Sequence, residues 1–230
     1  MEETLAADPG IAVTFRETTT ICIERPLGTG AGVEFIGVEP NPFLATVGLR
    51  VDAAPFGTGV VQRLEVERGS MPAAFFRAVE EAVTDALRQG LYGWQVIDCV
   101  VTVTHSGYWA RQSHAHGTFD KSMSSTAGDF RNLVPLVLAD ALRQSGTAVY
   151  EPVQVFRLEI PADTLGVVLP ALVRHRANPD RSAVEGAVCL VEGEIPAAEI
   201  HSLTRQLPGL TGGEGLLETA FGHYRPVRQG

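Results

Sequence analysis

Positive charge, and lysine above all, is scarce in this sequence. Lys121 is the only lysine, and 18 basic residues stand against 27 acidic ones in 230, which gives a net charge of −9 at neutral pH. Proteins that bind nucleic acid indiscriminately usually carry a basic excess, so the composition disfavours that function class. The composition still allows a local contact with RNA, provided that a small surface patch is positive although the whole chain is negative.

Cysteine and long apolar runs are also scarce. The three cysteines, Cys22, Cys99 and Cys189, are far apart in apolar segments. We interpret them as buried, reduced side chains of a cytoplasmic protein and not as disulfides or metal ligands. No apolar run approaches the roughly 20 residues that a membrane-spanning helix needs, and the acidic N-terminus lacks the apolar segment of a secretory signal. We therefore expect no membrane partner.

Motifs that bind nucleotides or activate a nucleophile do not occur in the sequence. It contains neither GxxxxGK[ST] nor GxSxG. The glycine-rich stretches Pro26–Gly32 and Pro55–Gly59 resemble phosphate-binding loops only superficially. Because each lies between two strand-like segments, we interpret them as tight turns. These observations predict no catalytic residue and no cofactor in this chain.

The apolar pattern predicts an α+β fold with two tandem domains. In the first part, strand signals and turns surround a helix from Ser70 to Gly90, and Trp94–Thr104 is predicted as a buried strand, with Trp94 itself in the core. Ser125 and Thr126 cap a second helix that begins near Asp129 and runs to about Gln144. Pro135 favours an even later start for that helix.

The second part of the chain, after a boundary at Tyr150–Pro152, follows the order β-α-β-β-α-β. Strands are predicted at 153–160, 181–184, 187–194 and 216–224, and helices at 162–175 and 197–206. This order is typical of the ferredoxin-like fold, and about 80 residues suffice for it.

A long irregular segment, His105–Arg131, separates the predicted strand from the second helix. It shows neither a strand nor a helix period, and such connections are usually functional or disordered. Its imidazole, aromatic and cationic side chains are His105, Tyr108, Trp109, Arg111, His114, His116 and Lys121. The aromatic rings with Arg111 either form a platform for stacking nucleobases or pin the loop onto its own domain. The three histidines could ligate Zn²⁺, but solvated or phosphate-contacting imidazoles are the preferred interpretation.

Six segments in the same order resemble the C-terminal half of the tetracycline ribosomal protection proteins, translational GTPases similar to elongation factor G. They are ERPLGTGAG (24–32), EPNPFLATVGL (39–49), GLYGWQVIDC (90–99), STAGDFRNLVPLVLADAL (125–142), GTAVYEPV (146–153) and GEIPAAEI (193–200). The segments cover nearly the whole chain. The long histidine-rich loop is most similar to the oxytetracycline-resistance branch of actinomycetes.

The resemblance implies the domain organisation. Residues 11–147 would form a domain IV-like, ribosomal protein S5 domain 2-like sheet with helices, and residues 150–230 a ferredoxin-like domain V. Residues 1–10 would be disordered or a remnant of domain III. It also implies that GTP and Mg²⁺ are bound by a GTP-binding domain absent from this sequence, so that this chain is no enzyme although its parent is a ribosome-dependent GTPase.

The resemblance further implies the partner and the contact residues. The partner would be the ribosome, met by a monomeric protein at the decoding centre of the small subunit and at the stalk base of the large subunit. Three loops of domain IV would form a tip that displaces tetracycline. The third loop carries Ser122, Met123 and Ser124, with Lys121 beside them, and Met123 stands where relatives have proline. The flanking loops would contribute Leu27, Gly28, Thr29, Gly30, Phe56, Gly57 and Thr58.

Two alternatives remain at this point. An elongation factor G-like translocation factor shares the fold, although Ser124 and Ser125 lack the histidine and glutamate found around the corresponding serines there. A metal-dependent enzyme would use His105, His114 and His116 instead.

Overall fold

The computed structural model describes residues 21–110 and 124–227, and it divides into two compact units. Among these residues, 22–110, 124–153 and 223–227 belong to the first unit, and the second unit contains Ile21 and 154–222. Both units combine strands with helices, so the predicted α+β class is confirmed.

The first unit is built around a four-stranded sheet. The strands of this unit are β1 (Ile23–Pro26), β2 (Thr29–Glu34), β3 (Ala45–Ala53), β4 (Val60–Leu64), β5 (Gln95–Val96) and β6 (Cys99–Tyr108), and its helices are α1 (Ala73–Ala86) and α2 (Ala127–Ser145). The sheet order is β2-β3-β6-β4, with β4 parallel to β6 and the other pairs antiparallel. Strand β1 pairs with β5 and with the beginning of β7 (Thr147–Pro161).

Strand alternation and helix periodicity build the core of this unit. In β3, Val47, Leu49 and Val51 are buried, while Arg50 and Asp52 are partly exposed. This period of two places every second side chain against the helices. In α2, the buried face includes the predicted residues Phe130, Leu133, Val134, Val137 and Ala141.

The second unit has the ferredoxin-like arrangement that the sequence predicts. After β7 come α3 (Leu165–Arg174), β8 (Asn178–Glu185), β9 (Val188–Pro196), α4 (Ala197–Thr211) and β10 (Leu216–Pro226). The strand order is β10-β7-β9-β8. Both helices contribute to one apolar core, in which Val168, Leu172, Leu203 and Leu207 pack with residues of the strands. The split βαβ topology is thereby confirmed.

Several element boundaries were predicted wrongly in the first unit. Helix α1 begins after Pro72, which is its N-cap, and ends at Ala86, well before Gly90. Helix α2 begins at Ala127, not later than Asp129, because Thr126 and Asp129 form a reciprocal capping box there. Pro135 therefore lies inside the helix, where its exposed ring faces away from the core.

Two further expectations are wrong. Trp94 is only half-buried, since the chain forms two strands on either side of Asp98 instead of one continuous strand. Cys22 is also only partly buried, although Cys99 and Cys189 lie in the core as expected. The two units divide between Val153 and Gln154, within the continuous strand β7 and directly after the boundary that the sequence predicts at Tyr150–Pro152. Within the described residues, no helix has the length and apolar character to cross a membrane.

Candidate functional site

The strand registers place the first two predicted tip loops and the stems of the third at different ends of the first unit's sheet. Strand β2 begins at Thr29, opposite Asp52, and β4 begins at Val60, opposite Cys99. Strand β6 ends at Tyr108, opposite Ala45 at the far end of β3. Eight residue steps of extended strand separate these ends by about 25 Å. The first two loops therefore lie at the opposite end of the sheet from the stems of the third loop, against the expectation of one shared tip; residues 111–123 of the third loop lie outside the described residues.

The end that holds the first two loops is organised by a buried ion pair. We call it the clamp end; it comprises residues 24–28, 54–59, 90–98 and 146–151. The Nε atom of Arg25 lies 3.0 Å from Oδ2 of Asp98, and their side chains are 10% and 2% exposed. The Nε–H is not aligned for a hydrogen bond, so this contact acts as a charge pair. Nη2 donates a hydrogen bond to the carbonyl of Ala54 at 2.8 Å.

Phe56, predicted as a tip residue, belongs to this clamp. The guanidinium carbon of Arg25 lies 3.3 Å from the centre of the Phe56 ring, and Tyr150 meets the same ring edge-on at 5.6 Å. A cation held over an aromatic face is attracted by the ring quadrupole. Phe56 thus already has partners within its own unit, although 59% of it is exposed.

The Pro55–Gly59 turn is confirmed, and its contacts explain its glycines. Gly57 and Gly59 have φ angles of +83° and +68°, which side chains other than glycine rarely adopt. The Gly59 amide donates to Oδ1 of Asp98 at 2.9 Å, and the Thr58 hydroxyl donates to the Pro55 carbonyl at 2.7 Å. Asp98 itself has φ +54°, a conformation that aspartate tolerates.

The Pro26–Gly32 stretch is not the predicted turn. Only Leu27 and Gly28 connect β1 to β2; Thr29 and Gly30 are already in β2, and Gly30 is buried. A Cβ atom at Gly30 would overlap the backbone of Ala141 and Ser145 in α2. The glycines of this stretch therefore allow a strand to approach a helix closely, which explains their presence without a ligand.

Glu24 explains a further part of the sequence pattern. Its fully buried carboxylate accepts hydrogen bonds from the Tyr92 and Trp94 amides at 2.6 and 3.2 Å, and from the Thr147 hydroxyl at 3.2 Å. Hydrogen bonds of this kind are what a buried carboxylate needs. The backbone of the segment Leu91–Trp94 is thus held by Glu24 at the clamp end.

The opposite end carries the long loop, and we call it the tip end; it comprises residues 35–44, 65–70, 105–110 and 124–126. Strand β6 extends to Tyr108. His105 and Tyr108 therefore lie in a strand, whereas the sequence predicts them in the long loop. Tyr108 is half-buried against Phe75 at 5.7 Å, and exposed His105 meets Phe35 edge-on at 5.8 Å. Both rings are therefore used in packing within the unit.

Exposed apolar side chains cluster at the tip end. Phe35, Val38 and Trp109 are 44%, 55% and 43% exposed. The chain turns between Phe35 and Val38, where the Val38 amide donates to the Phe35 carbonyl at 3.3 Å, and a Cβ added at Gly37, which has φ +72°, would be 3.5 Å from the Trp109 ring. This apolar surface stands beside the two stems of the long loop.

The stems of the long loop are joined by Ser125. Its hydroxyl accepts a hydrogen bond from the Trp109 amide at 2.8 Å and donates one to the Leu44 carbonyl, and its own amide donates to the Trp109 carbonyl at 3.1 Å. Asp129 accepts from the Leu44 amide at 3.1 Å and from the Thr126 amide at 2.7 Å. Leu44 is thus held at both its carbonyl and its amide by the start of α2.

Burial and these hydrogen bonds shift the pKa of Asp129 in opposite directions. Burial by itself raises the pKa of this carboxyl group. The hydrogen bonds from Thr126 and Leu44 lower it by more, so the pKa of Asp129 lies below its ordinary value. The charged carboxylate is also favoured by its place in the first turn of α2.

Several predicted site residues lie outside the described residues: Arg111, His114, His116, Lys121, Ser122 and Met123. Their proposed roles stay predictions. Ser124, which follows them, is partly buried. No group of three or more metal-ligating side chains occurs within residues 21–110 and 124–227.

Sequence reasoning missed two segments of the tip end. The connection Phe35–Leu44 and the segment Glu65–Ser70 both reach it: Asn41 Nδ2 donates to the Ala45 carbonyl at 2.9 Å, and the Ser70 and Ser106 hydroxyls lie 2.7 Å apart. The cluster Glu39-Pro40-Asn41-Pro42 was the available signal, since it marks a turn between two strands that pair antiparallel.

Comparison with known proteins agrees with this geometry. The profile "Elongation factor G, domain IV" matches residues 12–146, and "Elongation factor G C-terminus" matches residues 148–230. The crystal structure of a Thermus thermophilus protein matches with a TM-score of 0.71 at 24% identity, over 93% of this chain and 31% of that one, which supports the fold.

The similar curated proteins are resistance proteins. The oxytetracycline resistance protein of Streptomyces rimosus is 42% identical over 97% of this chain and 32% of its own length, and TetM of Streptomyces lividans is 40% identical over 99% and 34%. TetP of Clostridium perfringens is 35% identical over 94% and 31%. The chain spans about a third of the length of these relatives. The resemblance inferred from the sequence is thereby confirmed, and the chain belongs to the elongation factor G family, whose domain IV and C-terminal domain it contains.

Proposed function

We propose that this chain is the ribosome-contacting part of a cytoplasmic tetracycline-protection factor. The observation that carries this proposal is the identity of 40–42% with the two Streptomyces resistance proteins over 97–99% of the chain. The matched region spans both domains, so the likeness is not confined to a generic domain V. Binding and hydrolysis of GTP would be performed by a separate domain, for which this sequence carries no motif.

The tip end would act by occupying space. Phe35, Val38 and Trp109 present an exposed apolar surface at the place where the long loop leaves the sheet. Aromatic and apolar side chains stack on nucleobases, with a contribution of about 1–3 kcal/mol per base. A rigid stalk that carries such a surface into the decoding centre would compete with a drug for the same rRNA pocket, without any bond-making chemistry.

The positive charge needed next to phosphates would come from the loop itself. Among the described residues of the tip end, Glu39, Glu65 and Glu67 outnumber the single arginine, Arg68. Arg111 and Lys121 are the cations that the loop adds, and His114 and His116 would donate hydrogen bonds to phosphate oxygens. Contacts of this kind position a protein on RNA without reading its sequence.

Met123 would be the wedge residue of the loop. Methionine is flexible and polarizable, so it can fill the space of a bound drug or pack on a base. Its neighbours in the sequence, Ser122 and Ser124, are small and would not compete with it for that space. Domain V would meanwhile contact the stalk base of the large subunit, which leaves domain IV free to reach the small subunit.

A chimeric protein tests this function. Residues 11–230 replace the matching third of the Streptomyces rimosus oxytetracycline resistance protein, and translation in a cell-free extract is measured with tetracycline present. We expect the chimera to restore translation. Met123→Gly in the same chimera should weaken drug release while ribosome-stimulated GTP hydrolysis stays unchanged; Met123→Leu, which keeps the side-chain volume, serves as the control.

The principal alternative is a translocation factor, since the matched profiles are those of elongation factor G itself. The same extract distinguishes the two. A chimera that supports translation without the drug but gives no protection against it indicates translocation, and full protection by the Met123→Gly variant rejects the wedge role.

A further inference from the structure

A single serine joins three segments of the tip end. Ser125 immediately precedes Thr126, the N-cap of α2, and its side chain takes no part in the capping box, which Thr126 and Asp129 form between themselves. The Ser125 hydroxyl instead accepts a hydrogen bond from the Trp109 amide at 2.8 Å and donates one to the Leu44 carbonyl. This hydroxyl therefore serves two other segments of the chain and not the helix that it precedes.

Trp109 is held by Ser125 at both of its backbone polar groups. Its amide donates to the Ser125 hydroxyl, and its carbonyl accepts from the Ser125 amide at 3.1 Å. Two hydrogen bonds to one residue fix the orientation of the Trp109 backbone, and the backbone in turn limits the directions in which the indole ring can project. Because Trp109 is 43% exposed, the ring that is fixed in this way belongs to the apolar surface of the tip end.

The same hydroxyl also holds the segment that lies against the indole. The Trp109 ring is beside Gly37, where an added Cβ would be 3.5 Å from the ring. Gly37 belongs to the Phe35–Leu44 connection, and the last carbonyl of that connection accepts the hydrogen bond that the Ser125 hydroxyl donates. The indole and the segment beside it are thus tied to one oxygen atom.

The position requires a hydroxyl group, since one hydroxyl supplies a donor and an acceptor at a single point. Alanine at residue 125 would leave the Trp109 amide and the Leu44 carbonyl without this partner. The hydrogen bond from the amide of residue 125 to the Trp109 carbonyl would remain, and so would the capping box of α2. Loss of the hydroxyl therefore loosens the exposed surface and leaves the helix in place.

We propose that Ser125 is a positioning residue for drug release. Its hydroxyl holds the Trp109 ring and the Phe35–Leu44 connection in one arrangement, so that the apolar surface of the tip end meets the drug's pocket already formed. A surface that must order itself on binding loses part of its contact energy to that ordering. Ser125 acts through Trp109 and Leu44, not by a contact of its own. This proposal rests on the proposed function, because it concerns the step in which the tip end displaces the drug.

The chimera that carries residues 11–230 tests this role. The rate of tetracycline release from ribosomes is measured against the concentration of the factor. Ser125→Ala should lower the rate at saturating factor about tenfold, the order expected when a side chain that makes two hydrogen bonds is lost. The half-saturating concentration and ribosome-stimulated GTP hydrolysis should stay unchanged, whereas a variant that is merely less stable would lose all activities in proportion.

Two further variants make this measurement specific. Ser125→Thr keeps the hydroxyl and should restore the release rate. Ser145→Ala is the matched control, because it removes a buried hydroxyl that donates to the Leu142 carbonyl at the other end of α2. It should release the drug at the wild-type rate.

Amide exchange in the 230-residue chain provides a second measurement that needs no ribosome. The Trp109 amide should exchange faster in Ser125→Ala and stay slow in Ser125→Thr and Ser145→Ala. Unchanged exchange in Ser125→Ala overturns the proposal, as does a wild-type rate of drug release by that variant or an equal loss in Ser145→Ala. A Ser125→Thr variant that combines slow exchange with impaired release overturns it too. A wild-type chimera that fails to protect translation rejects the proposed function itself, so the two failures are distinguishable.

Discussion

The clamp end and the tip end of the four-stranded sheet both combine turns with aromatic side chains, yet they use them in opposite ways. At the clamp end, Phe56 is occupied by Arg25, and Arg25 is held in turn by Asp98. At the tip end, Phe35 and Trp109 are less exposed than Phe56, at 44% and 43% against 59%, but among the described residues no cation lies over their rings. The difference teaches that a glycine-rich turn with an aromatic residue is no sign of a contact surface by itself. What matters is whether other residues of the same unit already contact the aromatic ring.

Removal of the Arg25 guanidinium should have the largest effect. Arg25→Leu leaves the 2%-exposed carboxylate of Asp98 without a counter-charge, and breaking a buried pair in this way costs about 3–5 kcal/mol of unfolding free energy. Urea unfolding measures this cost. Arg88→Leu, which breaks an exposed pair with Asp85, is the control and should cost less than about 1 kcal/mol. Equal losses of unfolding free energy in the two variants would show that the Arg25–Asp98 pair stabilises the unit no more than an exposed ion pair does.

Gly30→Ala should have the second largest effect. An added Cβ overlaps the backbone of α2, and overpacking of this kind costs about 1–3 kcal/mol. Gly28→Ala is the matched control, since its Cβ meets only the Ser145 carbonyl, at 3.6 Å, and should be tolerated. Thermal unfolding of both variants measures the difference. If Gly30→Ala is stable but impairs ribosome binding, the residue is a contact residue after all.

The smallest effect is expected at the tip end and depends on pH. Because the folded-state pKa of Asp129 is lowered, its contribution is fully present above the unfolded pKa of about 3.9 and is lost as the pH falls through the folded pKa. Asp129→Asn should therefore cost about 1 kcal/mol at neutral pH and flatten the acid limb of the stability curve.

Thr126→Ala separates two contributions of Asp129. It removes the hydroxyl that bonds the carboxylate but keeps the hydrogen bond from Leu44. The amide exchange rate of Leu44 should rise in Asp129→Asn and stay slow in Thr126→Ala. Unchanged exchange in both variants would mean that α2 does not hold the Phe35–Leu44 connection in place.

Much of the fold follows from local patterns. The ferredoxin-like order of the second unit and the apolar face of α2 were predictable because burial imposes periods of two and 3.6 on the side chains. The start of α2 was mispredicted because Pro135 was given more weight than the capping box of Thr126 and Asp129. A reciprocal cap and a buried face of several large side chains outweigh one proline whose ring is exposed.

The placement of the candidate site was less predictable. Pro26–Gly32 and Pro55–Gly59 each lie between two predicted strands, and the loop after β6 lies between a strand and a helix. Nothing in the sequence assigns any of the three to one end of the sheet. The end of the sheet at which each loop lies depends on the direction of the strands that it joins. Strand β4 runs parallel to β6, whereas in a simple meander neighbouring strands are antiparallel. Pairing direction is set by contacts distant in sequence, so it leaves no local trace.

The sequence by itself determined the class of the fold, the helices and strands, the family and the absence of any nucleotide-binding motif, because these depend on side-chain chemistry at short spacing. Only the tertiary structure decided which loops share an end, and that Phe56 and the Gly30 region serve the unit's own packing. Those properties arise when strand register brings together residues tens of positions apart, and register is fixed by the packing of the whole sheet against its helices.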